Sequence, residues 1–267
     1  MNLRKNLSLK KNPNISDLWK DRREIFRFLN SEIPFFEDPR GRIQEQKYII
    51  DNFGRIVETV RVLDQYLQPN DRLLDLGIYP GHIAVMLAKK MKVRVFGIAL
   101  TTSEVFQRKI KKNQVDIIKL DLDRQDISFG DRTFQVVLCS EVVEHLDSPS
   151  HLIKEAYRIL VDSGILVLTT PNIARIRNRI SFCFHGISPN ICPPGEYNPF
   201  SSHEWLHFRE YTLDEIKKLL LENRFRVAEA KYIISQHFNE NPLRTIIKRL
   251  MPKALRRGIL VVAYKAS

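Results

Sequence analysis

Short apolar runs alternate with amphipathic segments through the middle of the 267-residue chain. Between residues 72 and 170 the β-rich runs are RLLDL, VRVFGIAL, VDIIKL, FQVVLCS and GILVLTT. Among them lie HIAVMLAKKM, EVFQRKIKKN and SHLIKEAYRIL, and in the first of these Ile83, Leu87 and Met91 recur every four residues, which is the spacing of one helix face. Strands that alternate with helices predict βαβ units and a parallel sheet.

The strand candidates VRVFGIAL and FQVVLCS are almost continuously apolar, as expected where both faces of a strand are buried. Two later runs, FRVAEAKYII and GILVVAY, complete the sheet. The predicted fold class is therefore α/β, a doubly wound, mostly parallel seven-stranded sheet with helices on both faces.

The regular pattern stops after Pro171 for about forty residues that are rich in Pro, Asn, Ser and aromatic side chains. A loop this long inside a compact domain usually has a function, so we expect residues 171–211 to form a substrate lid. A helix is predicted to follow, because Thr212 and Glu215 have the spacing of a capping box.

The first part of the chain has a helical pattern, and we expect residues 1–69 to form an N-terminal helical extension of a domain that covers residues 70–267. The apolar positions of this extension that are expected to reach the core are Phe26, Ile49, Ile50, Ile56, Val57 and Val60.

A basic amphipathic segment is predicted at residues 242–257. Its apolar stripe consists of Leu243, Ile246, Ile247, Leu250, Met251, Ala254 and Leu255. We favour packing of this stripe on the domain over contact with a membrane interface, since both give the same pattern. Pro252 is expected to interrupt the helix or to start a second short one.

The formal charge of +12 is concentrated at the two ends of the chain. Residues 1–27 carry a net charge of +5 and residues 241–267 carry +7, whereas the acidic and basic side chains between them cancel. A cleft built from the neutral middle is not a channel for a phosphate backbone, although the ends suit docking on an anionic surface.

The N-terminus lacks the apolar core of a signal peptide, and no apolar run approaches the length that spans a bilayer. Three cysteines are too few for a disulfide framework and are expected to be reduced thiols. We therefore expect a cytoplasmic protein, with peripheral contact to an anionic membrane as a possible addition.

The stretch DLGIYPG, residues 75–81, ends the first predicted strand. Doubly wound sheets bind ligands beyond the carboxyl ends of their strands, where Gly77 would allow a tight turn and Gly81 a close approach of helix to strand. The glycine spacing is one residue longer than that of a dinucleotide-binding turn. Asp75 indicates a ligand with a positively charged group.

Three stretches, LLDLGIYPG, FQVVLCSEVVEHLDSPSHLIKEAYRILVDSGILVLTTPN and HFREYTLDEIKKLLLENRF, occur in the order found in class I S-adenosylmethionine-dependent methyltransferases. Over roughly residues 70–265 the chain resembles this family, and within it the quinone-biosynthesis O-methyltransferase-like subgroup (methyltransferase types 11 and 23). The resemblance implies a Rossmann-like fold, the cofactor S-adenosyl-L-methionine and an enzyme.

The resemblance also implies roles for individual residues. Asp75, Gly77 and Gly81 would surround the methionine end of the cofactor. Asp121 would accept from the adenine amino group, with Leu122 packing on the ring, and Ser140 and Glu141 would lie beside the sulfonium. Asp123 is close enough in the sequence to accept from the adenine amino group in place of Asp121. The full set of expected cofactor-binding residues is Asp75, Gly77, Ile78, Tyr79, Gly81, Ala99, Leu100, Asp121, Leu122 and Ser140.

Three positions depart from the family pattern. Tyr79 stands where relatives have a glycine, and its ring is expected to lie over the carboxylate end of the cofactor. Ala99 stands where the second strand usually ends in an acid for the ribose hydroxyls, a role that Glu104 or Thr101 would have to take. Gln135 replaces a common aspartate and is interpreted as structural.

The predicted catalytic residues are His207, His145 and Glu141. By the resemblance, His207 lies over the active site, where its ordinary pKa of about 6.5 suits removal of a proton from an acceptor hydroxyl. Two alternatives stay open: His145 is a packing residue, and His207 with Arg209 only holds the lid shut. No metal is expected, because the spacings of Cys183, His185, Cys192, His203 and His207 match no compact zinc pattern.

The most favoured function is methyl transfer to a small-molecule, sugar or lipid-linked acceptor, with O-methylation preferred. The sequence leaves open the acceptor and the oligomeric state. A non-catalytic scaffold that keeps the methyltransferase fold is the first alternative. An RNA methyltransferase is the second, and the neutral middle of the chain argues against it.

Overall fold

The computed structural model of the chain describes residues 22–31, 39–100, 102–188, 191, 207–234 and 241–266. Its strands are β1 (Arg72–Leu76), β2 (Arg94–Ala99), β3 (Val115–Lys119), β4 (Phe134–Ser140), β5 (Leu160–Pro171), β6 (Phe225–Ile233) and β7 (Gly258–Lys265). The helices of the described residues are α1 (Arg22–Ser31), α2 (Pro39–Tyr66), α3 (His82–Met91), α4 (Glu104–Lys112), α5 (Pro149–Ile159), α6 (Ile176–His185), α7 (Leu213–Glu222) and α8 (Pro242–Leu250).

The strands form one seven-stranded sheet in the order β3-β2-β1-β4-β5-β7-β6. Strand β7 runs antiparallel to both of its neighbours, and the other strands are parallel. The predicted fold class is therefore confirmed. The order reverses between β1 and β4, so the carboxyl ends of these two strands frame the crevice in which sheets of this kind bind ligands.

Two apolar cores cover the two faces of the sheet. Residues of α1, α2 and α3 pack on one face and residues of α5 and α7 on the other. Of the predicted N-terminal core positions, Ile49, Ile56, Val57 and Val60 are buried, Phe26 packs against this core, and Ile50 is half-buried. Helix α2 thus shares a core with the sheet, and the boundary between residues 69 and 70 stays a prediction.

Gln135 has the structural role expected of it. Its Oε1 accepts a 2.8 Å hydrogen bond from the backbone nitrogen of Arg72, the first residue of β1. The amide side chain of β4 therefore extends the pairing between the two strands that border the crevice.

The expectation of an irregular lid over residues 171–211 is wrong for part of that segment, because Ile176–His185 form helix α6. Ile180, Phe182 and Phe184 are exposed on this helix, so it has no core-facing stripe from which it could be predicted. Residues 189–190 and 192–206, which include Cys192 and His203, lie outside the described part of the chain.

The expectation that the basic segment 242–257 packs its apolar stripe on the domain is wrong for α8. Leu243, Ile246, Ile247 and Leu250 are between 53% and 80% exposed. The helix ends at Leu250, and a short 3-10 helix at Lys253–Leu255 follows Pro252, as predicted. Within the described residues, no helix has both the length and the hydropathy needed to cross a bilayer.

Candidate active site

The turn between β1 and α3 depends on two glycines. Gly77 has φ +73°, and a Cβ added there would lie 2.5 Å from Cγ2 of Val142. Gly81 has φ +84° and precedes the first residue of α3. Both backbones adopt the left-handed conformation that favours glycine, and Gly77 also lets the turn approach the residues after β4.

Ile78 holds this turn against β2. Its backbone nitrogen donates a 2.9 Å hydrogen bond to the carbonyl oxygen of Ile98, and its side chain is buried over Gly97. A Cβ at Gly97 would lie 2.3 Å from Cδ1 of Ile78. The glycine inside strand β2 is therefore a requirement of the turn, and a glycine within an apolar strand run is the sequence feature that indicates such a close approach.

Tyr79 lies at the rim of the site. Its side chain is 57% exposed, and its ring centroid is 5.3 Å from that of Phe106 on α4. The ring is thus supported from the side of β2 and α4.

An open cleft lies at the carboxyl ends of β1 and β4. Six of the predicted cofactor-binding residues line it, namely Asp75, Gly77, Ile78, Tyr79, Gly81 and Ser140. Tyr48 and Arg55 of helix α2 complete the opposite wall.

Asp75 is the acid at the bottom of this cleft, and its side chain is almost fully buried. Burial raises the pKa of Asp75 to about 8, although the charge of Arg55 acts in the opposite direction. A buried carboxyl group of this kind gains a full charge most easily when a cationic ligand group binds beside it.

Arg55 connects helix α2 to the end of β4. Its guanidinium donates to Oγ of Ser140 at 2.7 Å and to the hydroxyl of Tyr48 at 2.9 Å, and its Nε lies 3.9 Å from a carboxylate oxygen of Glu141. Burial by itself lowers the pKa of Arg55, but Tyr48 and Glu141 raise it above its ordinary value. The arginine therefore remains a cation in the cleft wall.

The sequence analysis missed Arg55 and Tyr48. They lie seven residues apart and share one face of α2. Core residues such as Ile56 lie beside this pair on the helix. The sequence pattern therefore does not distinguish Tyr48 and Arg55 from ordinary surface residues.

Ser140 is the last residue of β4, and Glu141 follows it. Both side chains contact the hydroxyl of Thr169 on β5. The hydroxyls of Ser140 and Thr169 are 2.9 Å apart, and Oγ1 of Thr169 lies 3.1 Å from Oε1 of Glu141. Glu141 has φ +58°, a backbone conformation that is uncommon outside glycine and that occurs at functional sites. The predicted residues Ser140 and Glu141 thus belong to one polar network with Arg55.

Glu144 lies deeper, in the 3-10 turn Val143–His145, and is fully buried. Its Oε2 accepts a 2.9 Å hydrogen bond from Thr170, whereas Oε1 has no hydrogen-bond partner among the described residues. Burial and the neighbouring Glu141 raise the pKa of Glu144 well above its ordinary value. Glu144 is not among the predicted site residues.

The structure brings the two predicted histidines together. The ring centroids of His145 and His207 are 5.1 Å apart in a T-shaped arrangement. Nδ1 of His207 lies 2.8 Å from Oε1 of Glu210, which Arg175 and Asn178 also contact at 2.6 Å. His207 and His145 therefore lie in contact, whereas Glu141 contacts Arg55 and Thr169 at the end of β4.

Glu210 orients His207. Burial by itself raises the pKa of Glu210, but the hydrogen bond with His207 and the charge of Arg175 hold it below the ordinary value. The ionised carboxylate accepts the proton of Nδ1, which leaves the lone pair of His207 on Nε2. Arg209, in contrast, donates to Glu215 at the start of α7 and so fixes the end of the lid segment.

Asp121 and Asp123 have different surroundings in the loop after β3. Asp123 accepts hydrogen bonds from the backbone nitrogens of Asp147 and Ser148, so its carboxylate holds two loops together. Asp121 accepts from the nitrogen of Asp123, and its side chain is 32% exposed. Its other carboxylate oxygen lies 4.0 Å from Nε of Arg124, so both of these contacts of Asp121 lie within its own loop, whereas Asp123 holds the two loops together.

The remaining predicted residues flank the same edge of the sheet. Ala99 is buried at the end of β2, where its carbonyl oxygen accepts from the nitrogen of Leu120, and Leu100 follows it. Leu122 is buried in the core that contains α5 and α7. Glu104 begins helix α4, and Thr101 lies outside the described residues.

Comparison with known proteins agrees with this geometry. A family model described as a methyltransferase domain matches residues 42–230. The ubiquinone biosynthesis O-methyltransferase of Bradyrhizobium diazoefficiens is 28% identical over 169 residues, which are 62% of this chain and 63% of that protein. The 27-O-demethylrifamycin SV methyltransferase of Amycolatopsis mediterranei is 29% identical over 106 residues, 38% of this chain and 39% of that protein. Both matches span less than two thirds of the relatives' own length.

Among solved structures, the fold is similar to that of the 1,6-didemethyltoxoflavin-N1-methyltransferase of Burkholderia thailandensis, which was determined with bound S-adenosylhomocysteine. The TM-score is 0.53 at 14% sequence identity, and the match covers 84% of this chain and 88% of that chain. Since the family model covers most of the chain, and the sheet order agrees with it, the chain belongs to the methyltransferase domain family.

Proposed function

We propose that the protein transfers a methyl group from S-adenosylmethionine to a hydroxyl oxygen of a small-molecule, sugar or lipid-linked acceptor. The cleft at the ends of β1 and β4 is the observation that carries this proposal, since a buried acid, Asp75, and a buried arginine, Arg55, line it together with the glycine turn. Two curated relatives are named O-methyltransferases or act on an O-demethylated compound, which favours oxygen as the acceptor atom.

The residues of the cleft fit the methionine end of this cofactor. That end carries an ammonium and a carboxylate, and Asp75 and Arg55 both line the cleft. We assign Asp75 to the ammonium and Arg55, with Tyr48, to the carboxylate, because charge-assisted hydrogen bonds in a buried site are the strong ones. Gly77 and Gly81 supply the closely packed turn between them.

The adenosine end is assigned to the loops after β2 and β3. Asp121 would accept from the adenine amino group, while Leu100 and the backbone at Leu122 would border the ring. Ala99 has no carboxylate for the ribose hydroxyls. The nearest described acid along the chain that would take this role is Glu104, at the start of α4. Loss of one charge-assisted hydrogen bond weakens affinity by about 1.5–3 kcal/mol, which a cofactor with several other contacts tolerates.

When bound, the cofactor supplies a methyl group on a positively charged sulfur. The chain's own residues then have three tasks: to hold the acceptor oxygen in line with the carbon–sulfur bond, to exclude water, and to take up the hydroxyl proton. His207 is the proposed proton acceptor, because Glu210 directs its lone pair to Nε2. The ring of His145 packs against that of His207, and Glu141 contacts Arg55 and Thr169 at the end of β4. As the oxygen–carbon bond forms, the carbon–sulfur bond breaks, and S-adenosylhomocysteine leaves as a neutral thioether.

Peripheral contact with an anionic membrane is proposed for helix α8. Its four exposed apolar side chains, Leu243, Ile246, Ile247 and Leu250, share the helix with Lys248 and Arg249. Such a helix lies in a bilayer interface with its apolar face in the acyl region. Co-sedimentation with vesicles that contain phosphatidylglycerol tests the contact, and equal binding by a Leu250→Glu, Ile246→Glu variant would contradict it. A cytoplasmic location remains a prediction.

The function is tested by incubating the protein with methyl-labelled S-adenosylmethionine and a lysate separated into lipid, glycan, small-molecule and nucleic-acid fractions. We expect the label in the lipid, glycan or small-molecule fraction, in a bond with the stability of a methyl ether. Label in RNA would replace the proposal by the RNA-methyltransferase alternative. An Asp75→Asn protein is the control that separates enzyme-dependent label from background.

A further inference from the structure

Strand β2 ends in an alanine at the place where a doubly wound sheet commonly meets the ribose of a nucleotide. In sheets that bind dinucleotides, an acid about 20 residues after the glycine turn accepts from a ribose hydroxyl. Ala99 has this position, 22 residues after Gly77. Its side chain is 4% exposed, and its carbonyl oxygen already accepts from the backbone nitrogen of Leu120. A buried methyl group cannot accept from a hydroxyl, so contact with the sugar falls to neighbouring side chains.

Tyr79 is the neighbour that the glycine turn brings to the end of β2. The backbone nitrogen of Ile78 donates a 2.9 Å hydrogen bond to the carbonyl oxygen of Ile98, the residue before Ala99. This bond holds the turn beside the last residues of the strand. Tyr79 follows Ile78 directly, lines the cleft and has 57% of its surface exposed. An accessible aromatic ring therefore lies at the edge of the cleft where β2 ends.

Phe106 supports the ring of Tyr79 from the side of helix α4. The two ring centroids are 5.3 Å apart with an angle of 54° between the ring planes. Phe106 is 6% exposed and belongs to the same core as Ile78 and Ala99. The start of α4 is fixed as well, because Oγ of Ser103 accepts a 3.1 Å hydrogen bond from the backbone nitrogen of Phe106. The tyrosine ring thus has a buried support on one side.

Glu104 is the other described side chain considered for the sugar. It is exposed in the first turn of α4. A carboxylate at this position is stabilised by the partial positive charge of the helix N-terminus. The helix start therefore accounts for this acid without a ligand, and the geometry favours Tyr79 as the partner of the sugar.

We propose that Tyr79, supported by Phe106, contacts the ribose of S-adenosylmethionine, and that the site recognises this sugar by packing on the ring instead of by hydrogen bonds to an acid. A tyrosine offers a large apolar face and a single hydroxyl. This assignment replaces the expectation that the ring lies over the carboxylate end of the cofactor. The inference rests on the cofactor of the proposed function and is independent of the methyl acceptor.

The proposal has a consequence for the specificity of the site. Removal of a ribose hydroxyl that is hydrogen-bonded to a carboxylate weakens binding by about ten- to a hundredfold. Removal of a hydroxyl from a sugar that packs on a ring and faces water on its other side should change affinity by about threefold or less. The 2′-deoxy and 3′-deoxy analogues of S-adenosylhomocysteine therefore distinguish the two kinds of site.

The test is calorimetric titration of S-adenosylhomocysteine and of these two analogues into the purified protein, without acceptor. We expect the three ligands to bind the wild type with affinities within about threefold of one another. Tyr79→Ala should weaken all three by about tenfold, and Tyr79→Phe should stay within about threefold of the wild type. Phe184→Ala, which removes a 79% exposed ring on α6, is the matched control and should bind as the wild type. Thermal melting confirms that each variant is folded.

The inference is overturned if either deoxy analogue binds the wild type more than about tenfold more weakly than S-adenosylhomocysteine does. Unchanged binding by Tyr79→Ala would also overturn it, as would a larger loss in Glu104→Gln than in Tyr79→Ala. In each of these cases, binding of S-adenosylhomocysteine by the wild type leaves the proposed function intact. A wild type that does not bind S-adenosylhomocysteine at millimolar concentration would reject the proposed function together with this inference.

Discussion

The guanidinium of Arg55 donates a 2.7 Å hydrogen bond to Oγ of Ser140, which lies 85 residues further along the chain. This contact ties helix α2 to the end of β4 and places a cation opposite the buried acid Asp75. The N-terminal helix therefore supplies one wall of the cleft, and the sheet supplies the other.

Arg55→Met is predicted to weaken S-adenosylmethionine binding by about ten- to a hundredfold, because a charge-assisted contact with the cofactor carboxylate is lost. Calorimetric titration measures the change. Methylthioadenosine, which lacks the methionine carboxylate, should bind the variant and the wild type equally. Arg61→Met, on the same helix beside Glu58, is the control, and an equal loss of affinity in it would contradict the assignment.

The affinity for S-adenosylmethionine is predicted to depend on pH through Asp75. Burial raises the pKa of Asp75 to about 8, so the free protein holds a proton there at neutral pH. Because the ammonium needs the carboxylate form, binding releases a proton, and affinity rises by up to about tenfold per unit between about pH 6 and about pH 7.5. The same shift makes the ligand-free protein less stable as pH rises toward 8.

Calorimetry in two buffers with different ionisation enthalpies measures the released proton. An affinity that is flat over this range, with no buffer dependence of the heat, would show that Asp75 is already ionised in the free protein.

Gly77→Ala is predicted to destabilise the protein by about 1–3 kcal/mol more than Gly186→Ala does. Both glycines have positive φ, but a Cβ at Gly77 would meet Val142 at 2.5 Å, whereas nothing lies within 4 Å of a Cβ at Gly186. Urea unfolding measures the two variants. Recovery of part of the loss in Gly77→Ala, Val142→Ala would identify the clash, and equal losses in the two single variants would contradict it.

Glu210→Gln is predicted to lower kcat by about ten- to a hundredfold with little change in the KM for S-adenosylmethionine, because the variant no longer fixes the tautomer of His207. Asn178→Ala, which removes another partner of Glu210 and leaves its contact with His207, should lose less activity. A parallel loss in both variants would assign Glu210 a purely structural role, and thermal unfolding shows how much each variant destabilises the fold.

The sequence was sufficient to predict the sheet and the β1–α3 turn, and it singled out His145 and His207 without predicting that their rings meet. Buried parallel strands appear in the sequence as continuous apolar runs. A glycine turn directly after such a run has few interpretations other than a ligand-binding turn at the end of the strand. Arg55 could not be predicted, because its partner Ser140 is brought near only by the fold. The expectations for α6 and α8 were wrong because the apolar side chains of these helices face outward, whereas the core-packing rules assume that such side chains are buried.

The most direct test of the account is calorimetric titration of S-adenosylmethionine into the wild type and into Asp75→Asn. We predict one binding site in the wild type, with affinity in the usual range of about 1 μM to 1 mM, and a loss of at least tenfold in Asp75→Asn. Asp116→Asn, which changes an exposed acid on β3, should leave binding unchanged. Absence of heat in the wild type at millimolar cofactor, or equal binding by Asp75→Asn, would contradict the assignment of the cleft.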